Sequence, residues 1–320
     1  MILFDQNTAI IELNEYLKKK HKFLNKNEVL IQTEIAGEGN MNLVMRLITN
    51  RRSFILKQSR PFVLKYPDLL APLSRIDVEY NFYRQMGAQP FFPKILKYDP
   101  KNYLLLMEDL GAGEDLTSIY QTGRISKNII QKLVTGLNDI HQKSISKVYP
   151  ENRAMRKLNH EHIFILPFTE NDFGLDNIQN GLKSLADPFK SNKVLNEIIS
   201  DAGKLYMKKG DTLLHGDYYP GSWMRFGKRL NIIDPEFSFI GPKEFDLGVM
   251  VAHLILATGQ ESLFDFVCNN YQNKINIRQA KIYCGIEIIR RLIGLAQLPV
   301  KQTLKQKKDV LNLARDLVLC

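Results

Sequence analysis

A change of period divides this chain. Up to Gly111 the apolar residues come in short runs broken by polar turns; beyond it they recur at spacings of three and four. The first pattern buries one face of a strand, the second one stripe of a helix. Strands segregated from helices in this way predict an α+β fold.

Five strands are predicted: Val29 to Ile35, Leu43 to Thr49, Ser53 to Gln58, Lys94 to Tyr98 and Tyr103 to Met107. One helix, from Asp77 to Met86 and closed by Gly87, is inserted among them. Asn50-Arg51-Arg52 and Asp99-Pro100-Lys101-Asn102 supply turns. Further on, helical spacing runs from Ser126 to Ser144 and again from Val194 to Leu205, stopped by Gly210. Thr212 to Leu214 is a short apolar strand. Trp223 to Phe226 and Arg229 to Ile233 form a hairpin across Gly227-Lys228, and amphipathic helix fills the chain from Phe245. The expected organisation is an N-terminal sheet lobe over 1–107, a hinge at 108–111 and a helical lobe over 112–320.

Composition narrows the partners. Hydrophobic residues at 44% and charged residues at 24% exclude disordered and fibrous classes. A net charge of +10 favours anionic partners such as nucleotides and phosphorylated metabolites. Cys268, Cys284 and Cys320 are too scattered for a disulfide framework or a zinc site. No signal peptide and no membrane span is expected, so the anticipated compartment is the cytoplasm.

Two acidic motifs each follow a short apolar strand. They are His215-Gly216-Asp217 and, seventeen residues on from its aspartate, Asp234-Pro235-Glu236. Side chains emerging at strand ends can face one cavity, where one carboxylate accepts a hydroxyl proton and another holds Mg²⁺ against phosphates. Either motif alone is more often a turn with a capping carboxylate. Gly37, Gly39, Asn40 and Asn42 lie between the first two strands, where glycine lets backbone amides approach phosphate oxygens. An ordinary hairpin turn has the same composition. Lys57 interrupts an apolar strand and needs a counter-charge if buried; Glu79, on the following helix, can supply it while the lysine holds a phosphate. The alternative is a solvated edge position. Met107-Glu108-Asp109-Leu110 is the expected hinge, at which backbone groups of Glu108 and Leu110 would bind adenine; the alternative for Glu108 is a strand-ending surface charge.

Glycine loop, strand lysine, helix glutamate, hinge, HGD and D-x-E stand here in the order of a protein-kinase-like phosphotransferase. The chain resembles the aminoglycoside phosphotransferase-type small-molecule kinases, and among them is most similar to the 5-methylthioribose kinases. The phrases that carry the resemblance run from Gly37-Glu-Gly-Asn-Met-Asn-Leu-Val44 to Arg290-Arg-Leu-Ile-Gly-Leu-Ala296. They include Asp234-Pro-Glu-Phe-Ser-Phe-Ile-Gly-Pro242 and Phe245-Asp-Leu-Gly248.

The resemblance implies a two-lobe fold, ATP and Mg²⁺ as cofactors, and a hydroxyl of a small molecule as acceptor. By position, Asp217 is the implied catalytic base. Ser222, Asp234 and Glu236 are the implied metal ligands, Lys57 and Glu79 the phosphate-binding pair, and Asp246 a brace for the HGD loop. Tyr218, Arg290 and Arg291 are expected on the substrate side; the arginines have an alternative as a helix face that pairs with acids. The catalytic loop departs from the family's usual HGDLHTGS, reading Tyr218-Tyr219-Pro220 after the aspartate.

Other acceptors stay open, namely aminoglycosides, fructosamines, other sugars and amino alcohols, as does a non-catalytic ATP-binding pseudokinase. No nucleic-acid or membrane partner is expected; a homodimer is compatible with the sequence. The runs Lys18 to Lys22 and Lys305 to Lys308 are expected on solvated faces. His160 and His162 are expected in packing rather than metal binding, and His253 in the core.

Overall fold

The structure, a computed structural model, describes the chain apart from residues 21, 38–40, 65, 146 and 147, and apart from the side chains of Lys20 and Tyr66. Two compact units divide it, Met1–Gly113 and Glu114–Cys320.

The first unit is built on a five-stranded antiparallel sheet. Its order is Leu30–Ile35, Asn42–Thr49, Ser53–Ser59, Leu104–Glu108, Ile95–Asp99. All five predicted strands are present. Leu43, Met45 and Leu47 alternate onto one face and meet Phe54, Leu56, Leu104 and Leu106 there, under Phe4, Leu13 and Leu17. Period two then obliges Lys57 to point to the other face, where the helix Arg75–Met86 packs through Ile76 and Phe82. A small hairpin, Phe62–Val63 with Tyr66–Leu70, was not expected.

The second unit is mostly helical. The helix Glu244–Thr258 is buried along nearly its whole circumference because Ile277–Ile293 and other helices of the unit enclose it. Ser126 caps the helix Lys127–His141, its Oγ accepting from the Ile129 amide at 3.3 Å. Thr212–Leu214 pairs with Phe239–Gly241, a strand too short to read in the sequence. The predicted hairpin forms from Trp223–Phe226 and Arg229–Ile232, and Glu114–Asp115 joins its edge. Among the described residues no helix is long and apolar enough to cross a membrane.

Candidate active site

The second unit brings the two acidic motifs together through one residue, Ile233. The Ile233 amide donates to the Ser222 carbonyl at 3.0 Å, and the Ile233 carbonyl lies 3.0 Å from His215 Nε2. The strand end that carries Asp234 is thus tied to both ends of the loop that carries Asp217. Within that loop, Tyr219 N–H donates to the Asp217 carbonyl and Ser222 N–H to the Tyr219 carbonyl.

Asp246 fixes the base of the loop. Its Oδ2 accepts from the His215 amide at 2.7 Å and its Oδ1 from the Gly216 amide at 3.0 Å. His141 Nε2 stands 3.2 Å from Oδ2, and the other ring nitrogen lies 2.6 Å from the Tyr271 hydroxyl. Since the carboxylate accepts, His141 carries its proton on Nε2. Asp246 therefore acts as the brace expected of it. Gly216 is required here: its φ is +85°, and a Cβ would run into the Phe237 carbonyl.

Asp217 sits in a field of opposed charges. Burial pushes its carboxyl up to about 6, against the pull of Arg291 and Arg290, while Glu287 and Glu236 add to the rise. Arg291 Nη2 lies 3.9 Å from Asp217 Oδ1. A quarter of the Asp217 side chain remains open to solvent.

Asp234 has φ +62° and ψ +48° and precedes Pro235. Left-handed backbone before proline is disfavoured twice over, so the turn holds this carboxylate at a local cost of about 1–2 kcal/mol. Glu236, 6% exposed, follows in the same turn, whose carbonyls at 236 and 238 accept from Asn152 Nδ2. Ser222 donates its hydroxyl proton to the Asp217 carbonyl at 3.0 Å and keeps lone pairs. Two carboxylates and a hydroxyl are hard oxygen donors of the kind Mg²⁺ takes. Among the described residues no three His, Cys, Asp or Glu side chains could hold a metal by themselves.

The substrate-side expectations fare unevenly. Tyr218 is completely buried and donates its hydroxyl to the Leu133 carbonyl at 2.7 Å, so it is a core residue and not an acceptor contact. Its neighbour takes the exposed side of the loop. The Tyr219 ring lies 5.3 Å from the Arg291 guanidinium and 5.3 Å from the His253 ring. Gly221 has no side chain because the Tyr219 ring occupies that space. Arg290 and Arg291 both bind Glu287, buried on their own helix; the Arg291 bond is 2.8 Å. Burial alone would raise the Glu287 carboxyl, but Arg290, Arg291 and His253 together hold it well below the usual range.

His253, fully buried, completes that cluster. Its Nε2 lies 2.9 Å from Glu287 and its Nδ1 2.6 Å from the Tyr120 hydroxyl. Nε2 donates and Nδ1 accepts, and burial lowers its pKa to about 4, so the ring is neutral.

In the first unit Lys57 Nζ reaches Glu79 at 2.7 Å, with both side chains almost wholly buried. Gly39 and Asn40 lie outside the described residues; Gly37 has φ +135°, with no atom of the described residues within 4 Å of where a Cβ would stand. Asn42 corrects its expectation. It is buried and gives Oδ1 to Arg75 Nε at 2.9 Å and to Ser59 at 3.2 Å, so it anchors the exit of the glycine segment instead of offering that oxygen to a nucleotide. Arg75, fully buried, also binds the Met41, Arg60 and Pro72 carbonyls. At residues 108–110, the Glu108 amide donates to the Lys94 carbonyl at 2.8 Å, so that amide is already engaged; Leu110 is half-buried. Asp109 forms a two-pronged bond with Arg46, at 2.9 and 3.1 Å. Burial would raise its carboxyl; Arg46 brings it below the usual value.

Comparison with known proteins bears on the family and the fold. A family model described as the phosphotransferase enzyme family (APH) matches residues 34–281. A methylthioribose kinase of Exiguobacterium sibiricum is 29% identical over 247 residues, 72% of this chain and 62% of that protein. One from a Geobacillus species is 25% identical, covering 88% of this chain and 84% of its own. Among solved structures, a choline/ethanolamine kinase family protein of Mesorhizobium loti superposes with a TM-score of 0.55 at 16% identity, covering 97% of this chain and 95% of that one. The choline kinase of Streptococcus pneumoniae gives 0.51 at 15%, covering 96% and 99%. At such identities these two establish the protein-kinase-like fold alone.

Proposed function

The chain belongs to the phosphotransferase enzyme family and is a small-molecule kinase, and from that premise we propose that it transfers the γ-phosphoryl group of ATP, with Mg²⁺, to the 1-hydroxyl of 5-methylthioribose. The observation that carries the chemistry is the double tie at Ile233, which holds Asp217 and the Asp234–Glu236 turn against each other. The acceptor rests on the likeness to methylthioribose kinases. The proposed compartment is the reducing cytoplasm, consistent with three cysteines that form no disulfide.

Asp217 orients the acceptor hydroxyl and takes its proton as the O–P bond forms. Phosphoryl transfer passes through a loose, anionic transition state, so proton removal comes late and a carboxylate suffices. An anomeric hydroxyl, more acidic than an ordinary alcohol, assists. Arg291, braced by Glu287, keeps Asp217 ionised near neutral pH and fixes its direction. Asp234 and Glu236, with Ser222, would hold Mg²⁺, which when bound neutralises phosphate charge. Lys57, positioned by Glu79, supplies a further cation to the phosphates.

The test is ADP release by purified protein across a panel of methylthioribose, simple sugars, amino alcohols and aminoglycosides. Methylthioribose is expected to drive turnover only with Mg²⁺ present. Turnover with a different acceptor and none with methylthioribose would reassign the substrate. ATP binding without turnover on any acceptor would make the chain a pseudokinase.

A further inference from the structure

A cavity of about 710 Å³ in the second unit lies apart from Asp217, Asp234 and Glu236, none of which lines it. Its polar lining is Arg153, Arg156, Lys157 and Lys209 against one carboxylate, Glu151. Among the described residues none of the four cations takes part in an ion pair.

Arg156 is the informative member. It is 7% exposed, and its Nη2 donates to the Tyr206 and Lys208 carbonyls at 2.7 and 2.9 Å. Its guanidinium lies 4.4 Å from the Phe239 ring centre. The Nε–H is buried without a partner. Carbonyls and a ring face soften the burial of a guanidinium but do not neutralise it, and a buried donor left unsatisfied costs about 1–3 kcal/mol. Arg156 pins the end of the helix Lys193–Met207 and shares this hollow with three further cations, Arg153, Lys157 and Lys209, against the single carboxylate of Glu151. Like charges so assembled repel, and the arrangement is stabilised when an anion occupies it.

We propose that this cavity is a second binding site, for a phosphorylated small molecule carrying at least two negative charges. The Arg153 guanidinium offers a fork that matches phosphate oxygens in pairs, and Arg156 and the lysines add charge. The volume exceeds that of a bare phosphate. The remaining wall is apolar, with Val148 83% exposed beside Met207 and Ile240, and suits the non-ionic part of such a ligand.

Pyrophosphate is the probe, titrated calorimetrically at fixed ionic strength into the full chain saturated with Mg-ADP, so that the nucleotide site is already filled. The wild type is expected to bind one pyrophosphate. The double variant Lys157→Ala/Lys209→Ala alters exposed side chains only; it is expected to bind at least tenfold more weakly, with unchanged melting temperature and ADP affinity. Arg153→Lys, which keeps the charge and loses the fork, is expected to weaken binding as well. Absence of binding to the wild type, or equal affinity in wild type and double variant, would overturn the proposal. That result would leave Arg156 with a packing role alone.

Discussion

Replacing Glu287 with glutamine tests the electrostatic construction of the site. Glu287 is 1% exposed and is the common partner of Arg290, Arg291 and His253. Glutamine keeps the shape and removes the charge, taking the Glu287 counter-ion from Arg290 and leaving Arg291 with Asp217. Breaking a buried pair from one side costs about 3–5 kcal/mol. In a chain of this size that lowers the melting temperature by on the order of 10 °C.

A second effect runs the other way. One guanidinium bridges Glu287 and Asp217, at 2.8 Å from the first and 3.9 Å from the second. Since the fork is rigid, the two carboxylates lie within about 9 Å. At an effective dielectric near 20, a unit charge at that range is worth about 2 kcal/mol, a little over one pH unit. Glu287 raises the Asp217 carboxyl, so its removal lowers it. In the proposed role Asp217 works ionised, and wild-type activity should fall as pH drops through about 6. In Glu287→Gln that acid limb should move down by about one unit even though the protein is less stable. Urea denaturation and kcat/KM from pH 4.5 to 8 report the two effects separately. An unchanged denaturation midpoint, or an acid limb that stays or rises, would refute the reasoning.

Other outcomes follow from single contacts. Lys57→Met removes the cation 2.7 Å from Glu79 and should lower kcat/KM for ATP by about 10²-fold or more, read by steady-state kinetics. Gly216→Ala forces a side chain into left-handed backbone against the Phe237 carbonyl. It should cost about 2 kcal/mol or more in stability and displace Asp217, so that kcat falls; calorimetry and kinetics check both. His253 has a folded pKa of about 4 against about 6.5 unfolded, so the stability it confers is present above pH 6.5 and lost as pH falls toward 4. That loss amounts to about 3 kcal/mol and should be absent in His253→Gln, as chemical denaturation across this range would show. Asp217 has the opposite sign: its raised pKa disfavours the ionised form, so Asp217→Asn should be inactive yet about 1–2 kcal/mol more stable at pH 8.

Much of this arrangement was legible in the sequence where a residue violated its surroundings. A lysine inside Phe54-Ile-Leu-Lys-Gln58 demanded a counter-charge, and Glu79 provides it. Acids directly after apolar strands marked the turns at 217 and 234. Positions that depend on backbone direction were not legible. Nothing in two consecutive tyrosines says which turns inward; the loop after Gly216 sends Tyr218 to the Leu133 carbonyl and Tyr219 toward Arg291. Asn42 read as a loop residue because its partner, Arg75, is 33 positions away. Glu287, three and four residues before the arginine pair, matched an ordinary helix surface; only the enclosing helices make it buried and decisive. Arg46 with Asp109 escaped notice for the same reason as Asn42, being 63 positions apart.

The most direct measurement follows labelled phosphate from the γ position of ATP. Wild-type protein with Mg²⁺ and methylthioribose is predicted to form one labelled sugar phosphate per ADP, while Asp217→Asn binds ATP with unchanged affinity and forms none. Label transferred equally by Asp217→Asn and the wild type, or recovered only as inorganic phosphate, would contradict the assignment of Asp217 as the base that delivers a hydroxyl to the phosphoryl group.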